Sequence, residues 1–317
     1  MIAQIQIRRG TTAEWAAANP VILAAGEQGY DTTLKRFKMG DGATAWASLP
    51  WSDYGNNLNI LHNWDFRNPV NQRGMSGTIS AVGYFFDRWL LNSGSVTVAA
   101  GYLTIASGAE IEQRIEGLYL AGETVTVSVK VGTSYISGSG TFPTSAGTAS
   151  VTLTGFGTAT LGYNANYMFI RFTTDAARNL AACKCELGTV STLAYDPPMD
   201  HASELLKCQR FFFLLGTKQR AYARFPNAVA VGSTNLGCYV QFPSRMRNIP
   251  TFFYTGSLSN YGTVASNNFT AIAMTDDGVS EGAAFIYFTT SGLTEGHVYS
   301  IRAFNSTNAS LCFSADL

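Results

Sequence analysis

The stretch that decides the fold of the N-terminal part is Ile5–Trp51, IQIRRGTTAEWAAANPVILAAGEQGYDTTLKRFKMGDGATAWASLPW. The alternation of isoleucines with polar residues at its start predicts a strand that runs into Gly10. Thr11 stands three residues before Glu14, a spacing that predicts a capping box at the start of a short helix. Asn19-Pro20 then predicts the end of that helix, because the residue before a proline avoids the helical conformation.

Glycine-rich turns follow the helix and separate two further strands. Tyr30 lies in the first predicted strand and Phe37–Met39 in the second, and Gly40-Asp41-Gly42 closes the unit. Three tryptophans, at positions 15, 46 and 51, belong to the same stretch. Because so small a unit cannot bury all of its apolar surface alone, we expect neighbouring chains to cover it.

Ordered motifs in this stretch resemble the N-terminal module of bacteriophage tail fibres and tropism-determinant proteins. They are Arg8-Arg9-Gly10-Thr11, Phe37-Lys38-Met39-Gly40-Asp41-Gly42, Ala45-Trp46 and Leu49-Pro50. Such modules are small intertwined trimers that fasten a fibre to the tail baseplate. The resemblance implies that residues 1–52 form an attachment and trimerisation module, and that a phage tail or baseplate protein is a partner. The residues alone also fit a generic small β module.

Length and charge limit what the rest of the chain can do. The 317 residues leave room for two more domains, and charged residues make up 13% of the chain, about half the usual share. Lys plus Arg and Asp plus Glu number 21 each, so we expect no nucleic acid and no membrane surface as partner. The chain has neither an apolar run of ~18 to 20 residues nor a secretion signal. We therefore expect assembly in the host cytoplasm and action outside the cell.

Five cysteines occupy positions 183, 185, 208, 238 and 312. Their odd number and spacing do not fit a disulfide framework, and no CxxC or HxxxH pair indicates a metal site. Cys183 and Cys185 flank one residue of an alternating segment, which places both thiols on the same face of a strand. We predict buried thiols, no metal and no cofactor.

Short strands predict a central domain over residues 53–197. After a joint at Ser52–Leu58, Val125–Val131 alternates valine with polar residues and predicts a half-buried antiparallel strand. The same period recurs, between Gly- and Ser-rich turns, at Val96–Val98, Leu103–Ile105, Val151–Leu153 and Met168–Phe172. This pattern predicts a β-sandwich from Asn59 to about Pro197.

Three motifs in this domain resemble jelly-roll modules of phage tail and receptor-binding proteins. They are Asn63-Trp64-Asp65-Phe66, with Trp64 where glycine is usual, Asn71-Gln72-Arg73-Gly74 and Phe86-Asp87-Arg88-Trp89. The resemblance implies a carbohydrate-binding-like jelly roll without locating a site. From their charges we expect Arg73, Asp87 and Arg88 to form a network with Asp65 that fixes the entry and exit segments; ligand binding is the alternative.

A third resemblance, again to phage tail proteins, opens residues 198–317. Its motifs are Cys185-Glu186-Leu187-Gly188, Tyr195–Pro198, Glu204–Phe212 and Phe242–Pro250. Asp200 predicts the cap of a short helix, and an apolar face is predicted from Ala202, Leu205, Leu206, Gln209, Phe212 and Phe213. This face packs either around a three-fold axis or against its own chain. The strands that follow predict a second β-sandwich.

Two polar segments of that last domain, Ser257–Asn268 and Thr275–Gly282, are predicted loops on a rigid scaffold. Shallow sugar sites combine aromatic rings with amide and carboxylate side chains. The candidate receptor-binding residues are therefore Tyr254, Asn260, Tyr261, Asn267, Asn268, Asp276 and Asp277. The alternative is that the tyrosines pack at a subunit interface while the asparagines satisfy turns.

Local signals for catalysis are weak. Glu110 and Glu112 alternate with Arg114 on one strand face, which predicts a solvated ion-pair ladder rather than a pair of glycosidase carboxylates. Asp276 and Asp277 precede Gly278, as in a turn. The three histidines are scattered, so no nucleophile and base can be recognised, and we expect no enzyme.

Together these patterns predict an all-β chain: a small trimerising module with one short helix, then two jelly-roll-like β-sandwiches joined by a short helix. The implied function is a homotrimeric phage-type tail fibre or receptor-binding protein of a virion tail or a phage-derived contractile particle. It would dock by its N-terminus and bind a bacterial surface glycan or protein through its distal domains. The alternatives are a structural baseplate or linker protein and a glycan-degrading tail enzyme. The host, the receptor, the domain that binds it and a metal ion on the trimer axis stay open.

Overall fold

The computed structural model describes residues 7–34, 36–49, 51–52, 58–216, 222–261 and 268–316, and of residues 276 and 277 the backbone alone. Over these residues the chain is all-β, as predicted, with 24 strands and two α-helices. The predicted joint at Ser52–Leu58 lies mostly outside the described residues, as does Ile5.

The N-terminal module is a three-stranded sheet with one helix. Its elements are β1 (Arg8–Gly10), α1 (Thr12–Ala17), β2 (Gln28–Asp31) and β3 (Arg36–Met39), followed by a 3-10 helix at Trp46–Ser48. Strand β1 runs parallel to β2, and β2 pairs antiparallel with β3, which confirms the predicted strand pair. The capping box is also confirmed: Thr11 N–H donates to Glu14 Oε2 at 2.7 Å, and Glu14 N–H donates to Thr11 Oγ1 at 3.2 Å.

The tryptophans form the core of this module within a single chain. Trp15 and Trp46 stack with ring centroids 3.8 Å apart, and Trp51 meets Trp46 edge-on at 5.9 Å. Trp15 and Trp46 are each 5% exposed. Trp15 and Trp46 are therefore covered within one chain, while contact of neighbouring chains with the rest of the module's apolar surface stays a prediction. The rings cover one another, and Gly29 leaves room for Trp46, whose ring would lie 2.4 Å from a Cβ at that position.

The central domain is a sandwich of two six-stranded sheets, as predicted. One sheet has the order β11-β10-β15-β8-β7-β4 and the other β12-β13-β14-β9-β6-β5. The strands are β4 (Gly77–Ile79), β5 (Gly83–Phe86), β6 (Trp89–Ser93), β7 (Val96–Ala99), β8 (Tyr102–Ile105), β9 (Glu110–Glu116), β10 (Thr124–Val131), β11 (Ser134–Thr141), β12 (Gly147–Leu153), β13 (Gly157–Tyr163), β14 (Tyr167–Thr174) and β15 (Arg178–Leu187). Valines, aromatic rings and the thiols of Cys183 and Cys185 fill the space between the sheets.

Strand β10 is buried on both faces, so the prediction of a half-buried strand is wrong. Its valines face the core, but Thr126 and Ser128 on the other face are also buried. The segment after β15 covers them: Thr126 Oγ1 donates to the carbonyl of Gly188 at 2.8 Å, and Ser191 Oγ donates to Ser128 Oγ at 2.9 Å. The polar side chains are tolerated in this buried strand because the covering segment supplies their hydrogen-bond partners, a backbone carbonyl for Thr126 and a hydroxyl for Ser128.

A 3-10 helix at Leu193–Tyr195 ends the central domain, whose core includes Leu193, and helix α2 (His201–Gln209) opens the C-terminal domain. Two sheets follow, with the orders β16-β24-β19 and β20-β23-β17-β18-β22-β21, and they pack over one core, which confirms a second sandwich. Its strands are β16 (Phe212–Leu215), β17 (Arg224–Ala230), β18 (Asn235–Gln241), β19 (Thr251–Thr255), β20 (Leu258–Tyr261), β21 (Ala271–Val279), β22 (Ala283–Thr289), β23 (Val298–Ala303) and β24 (Ser310–Ser314).

Helix α2 is capped by Asp200, as predicted, but it does not bury the predicted apolar face. Its buried residues are Glu204 and Cys208, whereas Leu206 is half exposed. Glu204 is buried because its carboxylate accepts the N–H of Asn63, in the central sandwich, at 2.7 Å. The two phenylalanines assigned to that face lie in β16 instead. A polar contact between domains therefore decides which face of the helix points inward.

All five cysteines lie in the described part of the chain, and all five are buried without a disulfide, as predicted. Burial raises the pKa of the thiols of Cys183, Cys185, Cys208 and Cys238. In the residues that the structure covers, neither helix has the length and apolar character of a membrane span.

Candidate functional site

A groove of about 700 Å³ lies on the C-terminal domain and is called here the Tyr261 groove. Its lining residues come from β17, β20 and β23 and the turn before β23: Arg224, Asn227, Tyr261, His297, Val298, Tyr299 and Ser300. Tyr261, the one candidate residue among them, is 49% exposed.

The strand register explains why these side chains share one face. In the middle strand β23, Ser300 stands opposite Tyr261 on one side and Asn227 on the other. Two residues further along β23, Arg302 stands opposite Ser259 and Arg224. Because side chains two apart on a strand point the same way, both rows lie on the outer face of the sheet, where Tyr261, Asn227 and Arg224 are exposed but Ser259 is covered. The groove is thus built on paired strands.

Two arginines bring positive charge to the groove: Arg224 lines it, and Arg302 lies beside it against the ring of Tyr261. The Arg302 guanidinium carbon lies 4.4 Å from the ring centroid of Tyr261 and 5.3 Å from that of Tyr222. Such cation–π contacts orient the guanidinium without neutralising it. The lining contains no acidic side chain, and no ion pair of Arg224 or Arg302 is found among the described residues. The groove is open, aromatic and positively charged.

The structure does not bring all the candidate receptor residues together. Tyr261 lies in the groove, and exposed Asn268 is joined to Ser259 by a β-bridge, next to the same strand. Tyr254 is exposed but belongs to β19 of the three-stranded sheet, where it stacks on Phe252 at 6.5 Å. The structure therefore does not join Tyr254 to Tyr261 in one sheet.

Other parts of the prediction need correction. Asn260 is 2% exposed and faces the interior, because it stands opposite the core residue Ile301, so it cannot contact a receptor. Much of the predicted loop at Ser257–Asn268 is strand β20, while Asn267 lies outside the described residues. Asp276 and Asp277 belong to an irregular part of β21 and not to a turn; their side chains lie outside the described part.

Sequence reasoning missed Arg224, Asn227 and Arg302. Alternation within residues 224–230 and 298–303 could have placed each of them on an outward face. Their meeting depends on which strands are neighbours, and β17 and β23 are far apart in the sequence. Strand order cannot be read from local periodicity.

The predicted ion-pair ladder in the central sandwich exists, but it is not solvated. Glu112 is 2% exposed, and its carboxylate accepts hydrogen bonds from Arg114 at 3.0 Å, Arg171 at 2.8 Å and Asn92 at 2.9 Å. Glu110 lies 3.7 Å from the same Arg171. Two arginines and an amide together enclose the carboxylate, which explains why a charged residue on the outer face is buried.

The predicted network of Asp65 with Arg73, Asp87 and Arg88 is wrong for Asp65, although Arg73 does interact with Asp87, whose pKa it lowers against the effect of burial. Asp65 pairs with its neighbour Arg67 through two hydrogen bonds of 2.7 Å. Arg73 instead pairs with Asp316, and the Arg88 guanidinium lies 3.4 Å from the ring centroid of Phe211, just after α2. These arginines therefore tie the central sandwich to the C-terminal domain rather than to its own first segment.

Two further contacts join the central sandwich to the C-terminal domain. Gln72 Nε2 donates to the carbonyl of Phe212 at 2.8 Å, and Arg210 pairs with Glu116 at 2.7 Å. Asp87 accepts the N–H of Gln72 at 2.6 Å and its Nε2 at 3.0 Å, and burial raises the Asp87 pKa to about 6. Burial lowers the pKa of nearby His62 to about 3, with smaller contributions from Arg88, Lys207 and Arg210.

Among the side chains that the structure describes, no group of three or more His, Cys, Asp or Glu is arranged to hold a metal ion.

Comparison with known families identifies the N-terminal module. Residues 5–44 match the family model of the major tropism determinant N-terminal domain, a match that includes β1, α1, β2 and β3. Comparisons with curated proteins and with solved structures gave no match. The N-terminal module is therefore similar to the N-terminal domain of major tropism determinants, proteins associated with phage tropism.

Proposed function

We propose that this chain is a homotrimeric tail fibre or receptor-binding protein that docks to a phage tail or baseplate by its N-terminal module. Its distal domain then recognises a glycan or protein of the bacterial surface through the Tyr261 groove. The observation that carries the proposal is the groove itself, an exposed tyrosine beside amide and arginine side chains on paired strands. Binding sites held by a rigid sheet keep their geometry without an ordering cost on binding.

Avidity supports a shallow site in this role. Three grooves on one trimer, and several trimers on one particle, convert weak single contacts into firm adhesion. Binding without cleavage is part of the proposal. Its basis is that the groove lining offers one histidine and no carboxylate, whereas glycoside hydrolysis requires a pair of carboxyl groups.

A structural linker or baseplate protein is the second candidate, favoured by one observation. The sheet face that carries the groove also exposes apolar side chains, with Val229, Tyr239 and Val298 between 44% and 63% exposed. Such a patch is also suited to contact with another tail subunit. In that case the chain would bind tail proteins and not cells.

Adsorption of labelled full-length protein to a panel of bacterial cell envelopes tests the proposal. The variant Tyr261→Ala with Asn227→Ala should lose binding while the oligomer stays intact. Tyr254→Ala, which changes an exposed tyrosine in the other sheet, is the matched control and should bind normally. Undiminished adsorption of the double variant, or binding of the wild-type chain to tail proteins alone, would contradict a receptor site in this groove.

A further inference from the structure

We infer that the Tyr261 groove binds an anionic saccharide, whose carboxylate or phosphate group is held between Arg224 and Arg302. The inference rests on the proposed function of the groove and names the class of receptor that fits it.

Arg224 and Arg302 stand directly opposite each other on antiparallel strands β17 and β23. Residues in this position have Cβ atoms about 4.5 to 5.5 Å apart, and like charges placed so are destabilising. No acidic side chain that the structure describes forms an ion pair with either residue. An anion between the two guanidinium groups would remove this repulsion, so the pair favours an anionic ligand.

The guanidinium of Arg302 is already oriented for such a ligand by its aromatic contacts. Its guanidinium lies against the rings of Tyr261 and Tyr222, and its Nε atom is buried without a hydrogen-bond partner in the described structure. A planar guanidinium that rests on an aromatic ring still presents its N–H edge, which matches the two oxygens of a carboxylate or phosphate.

The remaining lining suits the sugar that carries the anionic group. Tyr261 is half exposed and offers an apolar ring surface. Asn227 and Ser300 stand in the same row as Tyr261, next to the row of the two arginines, and have groups that donate and accept hydrogen bonds. Apolar contact with a few polar groups that fix orientation is the usual composition of a small-ligand site.

Nucleic acid is the other anionic polymer to consider. Its binding depends on many phosphate contacts, and the chain as a whole has as many acidic as basic side chains. Two arginines in one groove fit one anionic group on a saccharide better than a continuous phosphate backbone.

The experiment uses envelope polysaccharide isolated from a strain that binds the full-length protein. Affinity is measured for the untreated polymer, for the polymer after its carboxylates have been reduced to alcohols, and after its phosphates have been removed. One treatment should weaken binding at least about tenfold, which also identifies the source of the charge. Equal affinity after both treatments overturns the inference while leaving cell binding, and hence the proposed function, intact. Failure of the wild-type chain to bind any strain overturns both.

Arginine variants give an independent test. Arg224→Gln and Arg302→Gln should each weaken binding at least about tenfold, whereas Arg245→Gln, which removes an exposed arginine outside the groove, should not. Arg224→Gln should also leave the melting temperature unchanged or higher, because it removes the like-charge repulsion. Lower stability of that variant with unchanged affinity would assign Arg224 a structural role and overturn the inference. Displacement of the polysaccharide by a single-stranded oligonucleotide would overturn it in favour of nucleic acid.

Discussion

Arg73, in the central sandwich, forms an ion pair with Asp316, near the end of the chain. The two side chains are 14% and 9% exposed, and the Arg73 guanidinium also lies 3.9 Å from the ring centroid of Phe212. A motif that resembles part of a jelly roll thus serves as the contact between two domains.

We expect Asp316→Asn to destabilise the C-terminal domain by about 3 kcal/mol, because loss of one partner leaves a largely buried charge without its counter-ion. Chemical denaturation measures the effect, and hydrogen exchange should show it in β24 and β16. Arg245→Gln is the control, since its exposed pair with Glu281 should contribute no more than about 1 kcal/mol. An equally small effect of both changes would mean that the Arg73 pair does not couple the domains.

Removal of the capping box should affect the N-terminal module alone. Thr11→Ala with Glu14→Ala removes both reciprocal hydrogen bonds of α1 and should cost the module roughly 1 to 2 kcal/mol. Hydrogen exchange measured on all three domains provides the internal control, since the two sandwiches should be unchanged. Equal loss of protection throughout the chain would contradict an independent module.

A stable homotrimer remains our prediction. Trp15 and Trp46 are buried within one chain, but the module exposes apolar side chains that a partner could cover: Ile7, Ile22, Leu34, Phe37 and Met39. Light scattering at micromolar concentration should give the mass of three chains. Phe37→Ser with Met39→Ser should shift the protein toward monomer, and a monomeric wild-type chain would refute the prediction.

Stability should depend on the protonation of Asp87. Its pKa in the folded protein is about 6, above the ordinary value of 3.8, so the folded state binds the proton more tightly. The resulting stabilisation is fully present below about pH 4 and is lost as the pH rises through 6. Relative to Asp87→Asn, the wild-type free energy of unfolding should fall by about 2 to 3 kcal/mol over this range.

Denaturation of both proteins at a series of pH values measures this difference. Other titrating groups, including His62, are common to the two proteins and cancel in the comparison. Parallel pH profiles would show that the pKa of Asp87 is the same in the folded and unfolded states, contrary to the effect expected of its burial.

Local rules predicted much of the fold because they depend on neighbours in sequence. The capping box needs only Thr11 and Glu14, and the strands follow from alternation that holds within each segment. The prediction failed where a distant segment covers a residue. The alternation of residues in β10 predicts that Thr126 and Ser128 are exposed, but they lie under the segment after β15. Glu204 is likewise buried by its contact with Asn63.

The candidate site was harder to predict for the same reason. Tyr261 was found because aromatic and amide residues cluster around it in the sequence. Its partners Arg224 and Arg302 lie in separate segments that meet only through the order β20-β23-β17. Asn260 was assigned wrongly because the segment was treated as a loop, where neighbouring residues need not alternate between outside and inside.

The absence of disulfides, described above for all five cysteines, means that the fold does not depend on a cysteine cross-link whose formation requires a particular redox potential. The thiolate is the reactive form of cysteine, and burial disfavours it by raising the thiol pKa of four of these residues. The described fold therefore contains no cysteine cross-link that a reducing medium would break. No oxidative folding step would be needed to form it.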